Sequence, residues 1–350
     1  MKTKFILLIA VLFILNECFS QQLKRNYNGV FSFCEGMAVV YSGTGNFDDV
    51  KKYGFINKTG KETVALEYDF VLPFSEGLAA VNQKGKCGFI NKSGNIVIPI
   101  IYSEAFNFSE GLSAVKKQDK YGFIDKNGNE VIPFIYDFAG SFKDGLAPVS
   151  ANGKFGFIDK NGKIKIPLKY SYVQGFSEGL AAFTYKEVDN VWGQLLSNWG
   201  FLDVAGNEVI APAYRYVEPF SNGFAMISNS YFINRMNEKL TTEYEYVESF
   251  HNGFAKVRYK LNSGNYLFID TSGKRINVSG EDVQYFSEGY CAVAQKKNWN
   301  EERRQYEPKW GFVDTSGKFV IECQYDEVTP FSEGASIVKK GKIWEIINIQ

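Results

Sequence analysis

The stretch Lys120-Tyr121-Gly122-Phe123-Ile124-Asp125-Lys126-Asn127-Gly128-Asn129-Glu130-Val131-Ile132-Pro133 decides the fold, because the chain is built from copies of it. Its Tyr-Gly-Phe-Ile-Asp core returns around Gly54, Gly88, Gly156, Gly200 and Gly311, with weaker copies from Ser230, Tyr266 and Trp344. A second marker, an aromatic, two further residues and a glycine, ends at Gly36, Gly77, Gly111, Gly145, Gly179, Gly223, Gly253, Gly289 and Gly334. Three successive spacings of that marker are 34 residues, which is the basic period. A fixed period of this size is the signature of a solenoid, a propeller or a tandem array.

Each period holds three short apolar runs, here Leu112–Val115, Tyr121–Asp125 and Glu130–Tyr136. Runs of four to seven residues rich in Val, Ile, Phe and Tyr, bounded by Gly, Asn or Lys, read as strands. Asn127-Gly128 and Asn161-Gly162 predict two-residue hairpins of the type that needs positive φ twice. Pro99, Pro133 and Pro167 fall inside the third run, so that strand lies at an edge or carries a bulge. The glycine of the second run, at Gly54, Gly88, Gly122, Gly156, Gly200 and Gly311, is expected to admit a neighbouring ring or backbone. The marker glycines, Gly77 to Gly334, are expected at positive φ. The marker phenylalanines and Tyr68, Tyr102, Tyr136 and Tyr170 then form a core ladder, which accounts for the 16% aromatic content without a ligand.

These residues resemble the WG-repeat family of bacterial proteins. The resemblance rests on the Trp/Tyr-Gly-Phe-Ile-Asp-x-x-Gly core, the following Val-Ile-Pro and the Phe-Ser-Glu-Gly marker. It covers residues 21–350 as one domain of eight full repeats plus partial units at both ends. The family's Trp stands here only at Trp199, Trp310 and Trp344, and Tyr231 and Leu267 replace the motif glycine in two units. The resemblance implies an all-β repeat protein and transfers no catalytic residue.

Two all-β architectures fit. An open solenoid of three-stranded 34-residue meanders tolerates any repeat number, and it is the expectation, with termini far apart. A closed propeller-like ring is the alternative, because the N-terminus enters in mid-repeat at Tyr27 and the C-terminus stops after a second run at Asn348.

Residues 1–20 read as a secretory signal: Lys2 and Lys4, an apolar Phe5–Leu15 core, and Cys18 and Ser20 before a cleavage at Gln21. The apolar core is too short to span a bilayer, which takes about 20 residues. No later stretch is long and apolar enough to do so. The mature chain is therefore expected outside the cytoplasm, periplasmic, cell-surface or secreted. The formal net charge is 0, which argues against nucleic acid as partner. Cys34, Cys87, Cys291 and Cys323 lack CxxC spacing, so zinc is not expected. They read as small hydrophobes, with one disulfide open as an alternative.

No catalytic motif stands out. Asp125–Glu130 resembles part of a calcium loop, but its glycine comes too early, and a hairpin turn is the better reading. The acids before the marker glycines, from Glu35 to Glu333, recur too regularly for a catalytic pair, and a turn role is expected. His251, the single histidine, replaces a repeat serine. The expected function is a non-catalytic binding or scaffold module for a protein or glycan partner, with no cofactor and no metal. A carbohydrate-binding surface built on exposed aromatics is one alternative, and an enzyme with a site assembled across repeats is another.

The period breaks at one place. From the motif position to the next marker glycine the count is 22 or 23, whereas from the marker glycine to the next motif it runs from 8 to 22. Insertions at 41–52, 184–198 and 295–309 therefore fall in the hairpin between first and second strands. In a repeat array such insertions emerge on one face or edge. They carry Phe47, Trp192, Trp299, Arg303, Arg304 and Tyr306, residue types suited to an interface, which makes this edge the candidate binding surface.

Overall fold

The computed structural model describes residues 20–46, 50–185, 198–240, 244–258, 267–278, 280–300 and 305–349. Among them every regular element is a β-strand. A typical sheet runs Phe70–Val71, Leu78–Gln83, Lys86–Asn91, Ile96–Tyr102, each strand antiparallel to the next. The three longer strands are the three apolar runs. The fourth is the two-residue pairing of Phe70 and Val71 with Asn82 and Val81, formed where the chain crosses from one unit to the next. Two residues carry no readable periodicity, so a three-stranded unit is expected from sequence and a four-stranded one is found.

Eight sheets have four strands, and a ninth, Phe224–Ile227 with Tyr231–Asn234, has two. We number the four-stranded blades 1 to 8 in chain order. Blades 1 to 5 span 29–68, 70–102, 104–136, 138–170 and 172–214, and the two-stranded sheet follows. Blades 6 and 7 span 246–277 and 282–325, and blade 8 contains 327–348.

The open array is overturned. Blade 8 takes its fourth strand from the other end of the chain: Ser20, Gln21 and Gln22 pair with Ile347, Ile346 and Glu345. The Leu23 amide continues the ladder to the Trp344 carbonyl at 2.8 Å. The apolar packing agrees. Nine buried clusters each join two neighbouring sheets, and one of them packs Phe33, Ala38 and Val40 of blade 1 against Leu23, Ala335, Ile337, Trp344 and Ile346 of blade 8. Nine sheets in an open row would have eight interfaces; the ninth closes the ring. A ring also covers the two apolar faces that a row would leave exposed at its ends.

The interfaces follow one rule. The motif Phe of each unit packs against the marker Phe of the next: Phe55–Phe74 at 4.7 Å between ring centroids, Phe89–Phe108 at 4.8 Å, Phe123–Phe142 at 4.9 Å and onward to Phe312–Phe331 at 4.8 Å. At the closure Ile346 stands where the motif Phe would be, beside Phe33. The aromatic ladder expected from the sequence is this core.

The motif glycine sets the shape of each outer strand. In blade 2, Cys87 faces Tyr102 while Phe89 faces Ile98, so two residues on one strand oppose four on the other. The extra residues bulge over Gly88, where a Cβ would lie 2.6 Å from the Ile98 carbonyl oxygen and 2.8 Å from the Ile100 amide nitrogen. Pro99 sits in that bulge, where no ladder bond is lost. The same offset occurs at Gly54 and Gly311, whose units have no proline at that place. Glycine, not proline, therefore decides the bulge. Where it is replaced, the bulge disappears: Leu267 pairs in simple register with Asn277, and Glu345 with Gln22. Beside Tyr231 only two strands form among the described residues.

The turns need one correction. The Gly128 and Gly162 loops have a single positive φ, at the glycine. In the first, Gly128 N–H bonds to Asp125 C=O and Asp125 N–H to Asn129 C=O, which is a three-residue loop with a bulge rather than a primed two-residue turn. The primed geometry occurs instead at the marker: Glu76 has φ 54° and Gly77 φ 87°, between mutually bonded Ser75 and Leu78.

Candidate functional site

The carboxylates before the marker glycines form a ring of joints between blades. Glu35 accepts from the Glu76 and Gly77 amides at 2.5 and 2.9 Å, and Glu76 from Gly111 at 3.1 Å. Glu110 accepts from Gly145 at 3.2 Å and Asp144 from Gly179 at 2.8 Å. Glu178 accepts from Asn222 and Gly223, Asn222 from Gly253, and Glu288 from Glu333 and Gly334. Glu333 completes the circle by accepting from Gly36 at 2.9 Å. Only Asn252 differs, donating to the Phe286 carbonyl. Lysines from the adjoining turns flank four of these acids: Lys92–Glu35, Lys126–Glu76, Lys160–Glu110 and Lys58–Glu333, at 3.0–3.3 Å. Burial pushes the Glu35, Glu110 and Glu333 carboxyls up, but the amides and lysines outweigh it and hold each below the ordinary range. These acids hold turns and blades together, which extends the expected turn role to the neighbouring unit.

The motif Asp is equally committed. Asp125, Asp203, Asp270 and Asp314 accept from the amides two and four residues later in their own loops. Side-chain hydrogen bonds, from Asn129, Asn207, Ser272 and Ser316 respectively, contribute most to holding them below the ordinary carboxyl range. No group of three potential metal ligands occurs among the described residues. None of Cys34, Cys87, Cys291 and Cys323 is in a disulfide, and burial pushes Cys291 up to about 12.

The insertion edge is described in part. Phe47, Trp192, Arg303 and Arg304 lie outside the described residues. Trp299 and Tyr306 are backbone partners in a ribbon, Tyr290–Asn300 paired with Gln305–Asp314, that extends the hairpin between the first and second apolar runs in blade 7. At the same end of the ring a row of aromatic rings crosses the blades. Phe31, Tyr41, Tyr53 and Phe70 follow one another at 5.4–6.3 Å. Phe106, Tyr121, Phe138, Phe155, Tyr172 and Trp199 do so at 5.0–6.4 Å across blades 3 to 5. Phe70 is 52% and Tyr172 39% exposed. Phe70, Phe138 and Tyr172 open the short strand, Tyr53, Tyr121, Phe155 and Trp199 lie at the start of the second run, Phe31 and Phe106 stand at the position of Leu72, and Tyr41 lies near the end of the first run.

A cavity of 480 Å³ lies where the repeat is least regular, walled by Tyr216, Glu218, Met226, Asn229, Tyr246, Val247, Glu248, Ser249, His251 and Tyr285. The hairpin of the two-stranded sheet is the shortest of its kind, and its tip residue Asn229 lines the opening. Tyr216 donates to Glu218 and Tyr285 to Glu248. Lys256 pairs with Glu248 at 3.3 Å, and its ammonium lies 5.9 Å from the Tyr285 ring centre. The His251 and Tyr285 rings are 4.2 Å apart. Burial pushes the Glu218 carboxyl up, and burial followed by the Glu248 hydrogen bond does the same to the Tyr285 phenol. Sequence reasoning missed this cluster. Its signal was departure from the repeat: Lys256 stands where the other units have Ala, Val, Pro, Met or Ile.

No curated protein matches the sequence. Among solved structures, Kluyveromyces lactis Hsv2p aligns with 84% of this chain and 97% of its own, at 8% identity and TM-score 0.41. The extracellular domain of a hybrid two component system from B. thetaiotaomicron aligns with 91% of this chain and 58% of its own, at 9% identity and TM-score 0.33. The model of the WG containing repeat matches seven times, at residues 53–87, 88–121, 121–155, 155–187, 199–230, 232–260 and 310–344. The matches fall on the Tyr/Trp-Gly-Phe units and cover more than half of the sequence, so the chain belongs to the WG containing repeat family.

Proposed function

We propose that this ring is a non-catalytic binding or scaffold module, exported from the cytoplasm and presenting one end to a protein or glycan partner. The observation that carries the reading is the aromatic row at the end where the hairpin insertions emerge. Buried aromatics are explained by the blade interfaces. Exposed ones such as Phe70 and Tyr172, at 52% and 39%, touch a ring of the neighbouring blade yet keep much of their surface open to solvent. Planar rings with one wet face are suited to stacking on sugar rings or to receiving a partner's apolar side chains. The marker and motif acids support the non-catalytic reading, since each is engaged with amides or lysines. The export reading rests on residues 1–20 as a leader, whose removal takes Ser20 from the closing strand and leaves Gln21, Gln22 and Leu23 to pair with Ile346, Glu345 and Trp344; no helix among the described residues is long and apolar enough to cross a membrane.

The test is a glycan array and a surface-extract pull-down with the purified ring, repeated with Phe70→Ala and Tyr172→Ala. A partner captured by the native protein and lost by both variants, at unchanged melting temperature, supports the reading. Full retention by both variants would remove the aromatic row as the site. Turnover of a captured glycan would favour an enzyme instead.

A further inference from the structure

We propose that the cavity beside the two-stranded sheet binds a small organic cation, an alkylated or primary ammonium group, between its tyrosines and Glu218. This site is separate from the aromatic row and does not depend on it.

Several departures from the repeat converge on the one cavity. The position of Glu218 and Glu248 is Leu72, Phe106, Gly140, Gln174, Gln284 and Thr329 in other units, and only these two neighbours are acids. Their phenol partners, Tyr216 and Tyr285, line the same space as Tyr246. The two acids are not equivalent. Glu248 is neutralised by Lys256 at 3.3 Å. Glu218 receives the Tyr216 hydroxyl and has no basic partner among the described residues. Glu218, Glu248, Tyr246 and Tyr285 all line the one cavity. The Ser249 hydroxyl is buried at the wall without a hydrogen-bond partner.

A half-buried carboxylate without a counter-ion is costly, and aromatic faces attract cations through their quadrupole. A cation in this space satisfies both. An anion would meet Glu218, and a neutral polyol would leave its charge uncompensated. Lys256 already demonstrates the preference by placing its own ammonium 5.9 Å from the Tyr285 ring centre. The space of 480 Å³ admits a quaternary ammonium head with its chain.

The test uses choline and its neutral carbon isostere 3,3-dimethylbutan-1-ol, titrated into the whole protein and followed by tyrosine fluorescence and calorimetry. The expected result is saturable choline binding about tenfold or more tighter than the isostere. Glu218→Gln, which keeps the shape, should weaken choline about tenfold at unchanged melting temperature. Tyr246→Ala should do likewise, and Tyr246→Phe should retain binding. A trimethyl-lysine peptide distinguishes a protein side chain from a free amine as the source of the cation. Equal affinity for choline and isostere, no saturable binding in the millimolar range, or native binding by Glu218→Gln would each overturn the proposal.

Discussion

The Glu333 carboxylate accepts the Gly36 amide at 2.9 Å, joining residues 297 apart in sequence. The same joint between Glu76 and Gly111 spans 35 residues. One local device therefore serves both succession and closure, and the closing joint differs from the rest only in the length of chain it bridges. Ser332 reinforces it by donating to the Phe33 carbonyl at 2.7 Å, as Ser75 does to Phe108.

Removing the closing acid should loosen the ring. Glu333→Ala is expected to cost about 1.5–3 kcal/mol, the range for a hydrogen bond to a charged group. Glu333→Gln should recover part of this, because an amide oxygen still accepts, as Asn222 does from Gly253 at 3.1 Å. Urea unfolding of the two variants checks it; identical midpoints for both variants and the native protein would mean that the joint contributes nothing.

The two classes of glycine should respond differently to substitution. Gly111 has φ 88° with nothing within 4 Å of an added Cβ, so Gly111→Val, like Gly145→Val, meets only conformational strain of about 1–3 kcal/mol. Gly88 has no positive φ, but its Cβ would strike backbone at 2.6 and 2.8 Å. Gly88→Ala should therefore cost more than Gly111→Ala, although alanine is small, because the bulged outer strand must move. Thermal melts of the two alanine variants decide the order.

Stability should fall in acid through the blade joints. The Glu35, Glu110 and Glu333 carboxyls are depressed in the folded protein, where amides and lysines outweigh the upward push of burial. A depressed carboxyl stabilises the fold above its unfolded value, about 4.3 for Glu. That contribution is lost as pH falls through the folded value. Melting temperatures should hold down to about pH 5 and decline below about pH 4. In the double variant Glu35→Gln, Glu110→Gln the decline should be shallower; an unchanged slope would place the acid sensitivity elsewhere.

The insertion edge has its own test. Replacing Trp192, Trp299 and Arg303 together with Ala should abolish binding of a partner captured by the native ring while leaving the melting temperature unchanged. Normal binding by the triple variant would exclude this edge, and so would its unfolding.

Much of the fold was legible. The strands, the period and the Phe ladder followed from the recurrence of Tyr121-Gly122-Phe123 and Phe108-Ser109-Glu110-Gly111. Closure was legible only as an alternative, from the mid-repeat entry at Tyr27 and the stop at Asn348, because the strand that completes blade 8 is Ser20-Gln21-Gln22, three polar residues with no motif. Its information lies in the backbone pairing with Ile347, Ile346 and Glu345, which side chains do not announce. The fourth strand of each blade escaped for a similar reason. The cavity escaped because a repeat reading looks for sameness. Glu218, Glu248 and Lys256 carry their meaning as exceptions, and only the fold brings them together.

Pairing the first described strand with the last has a consequence for the order of assembly. A chain released from its N-terminus can stack eight of the nine interfaces as it lengthens, but Ser20–Gln22 must wait for Ile347. In a fully flexible chain, joining ends so distant costs about 5 kcal/mol in loop entropy. Stacking of the intervening blades curves the ends toward each other and removes most of that cost beforehand. Until then Phe33 and Ala38 on one side, and Ile337 and Ile346 on the other, remain uncovered. During that interval the waiting strand of one molecule fits the last blade of another equally well. Dilution then favours the closed monomer, and crowding during refolding favours exchanged dimers.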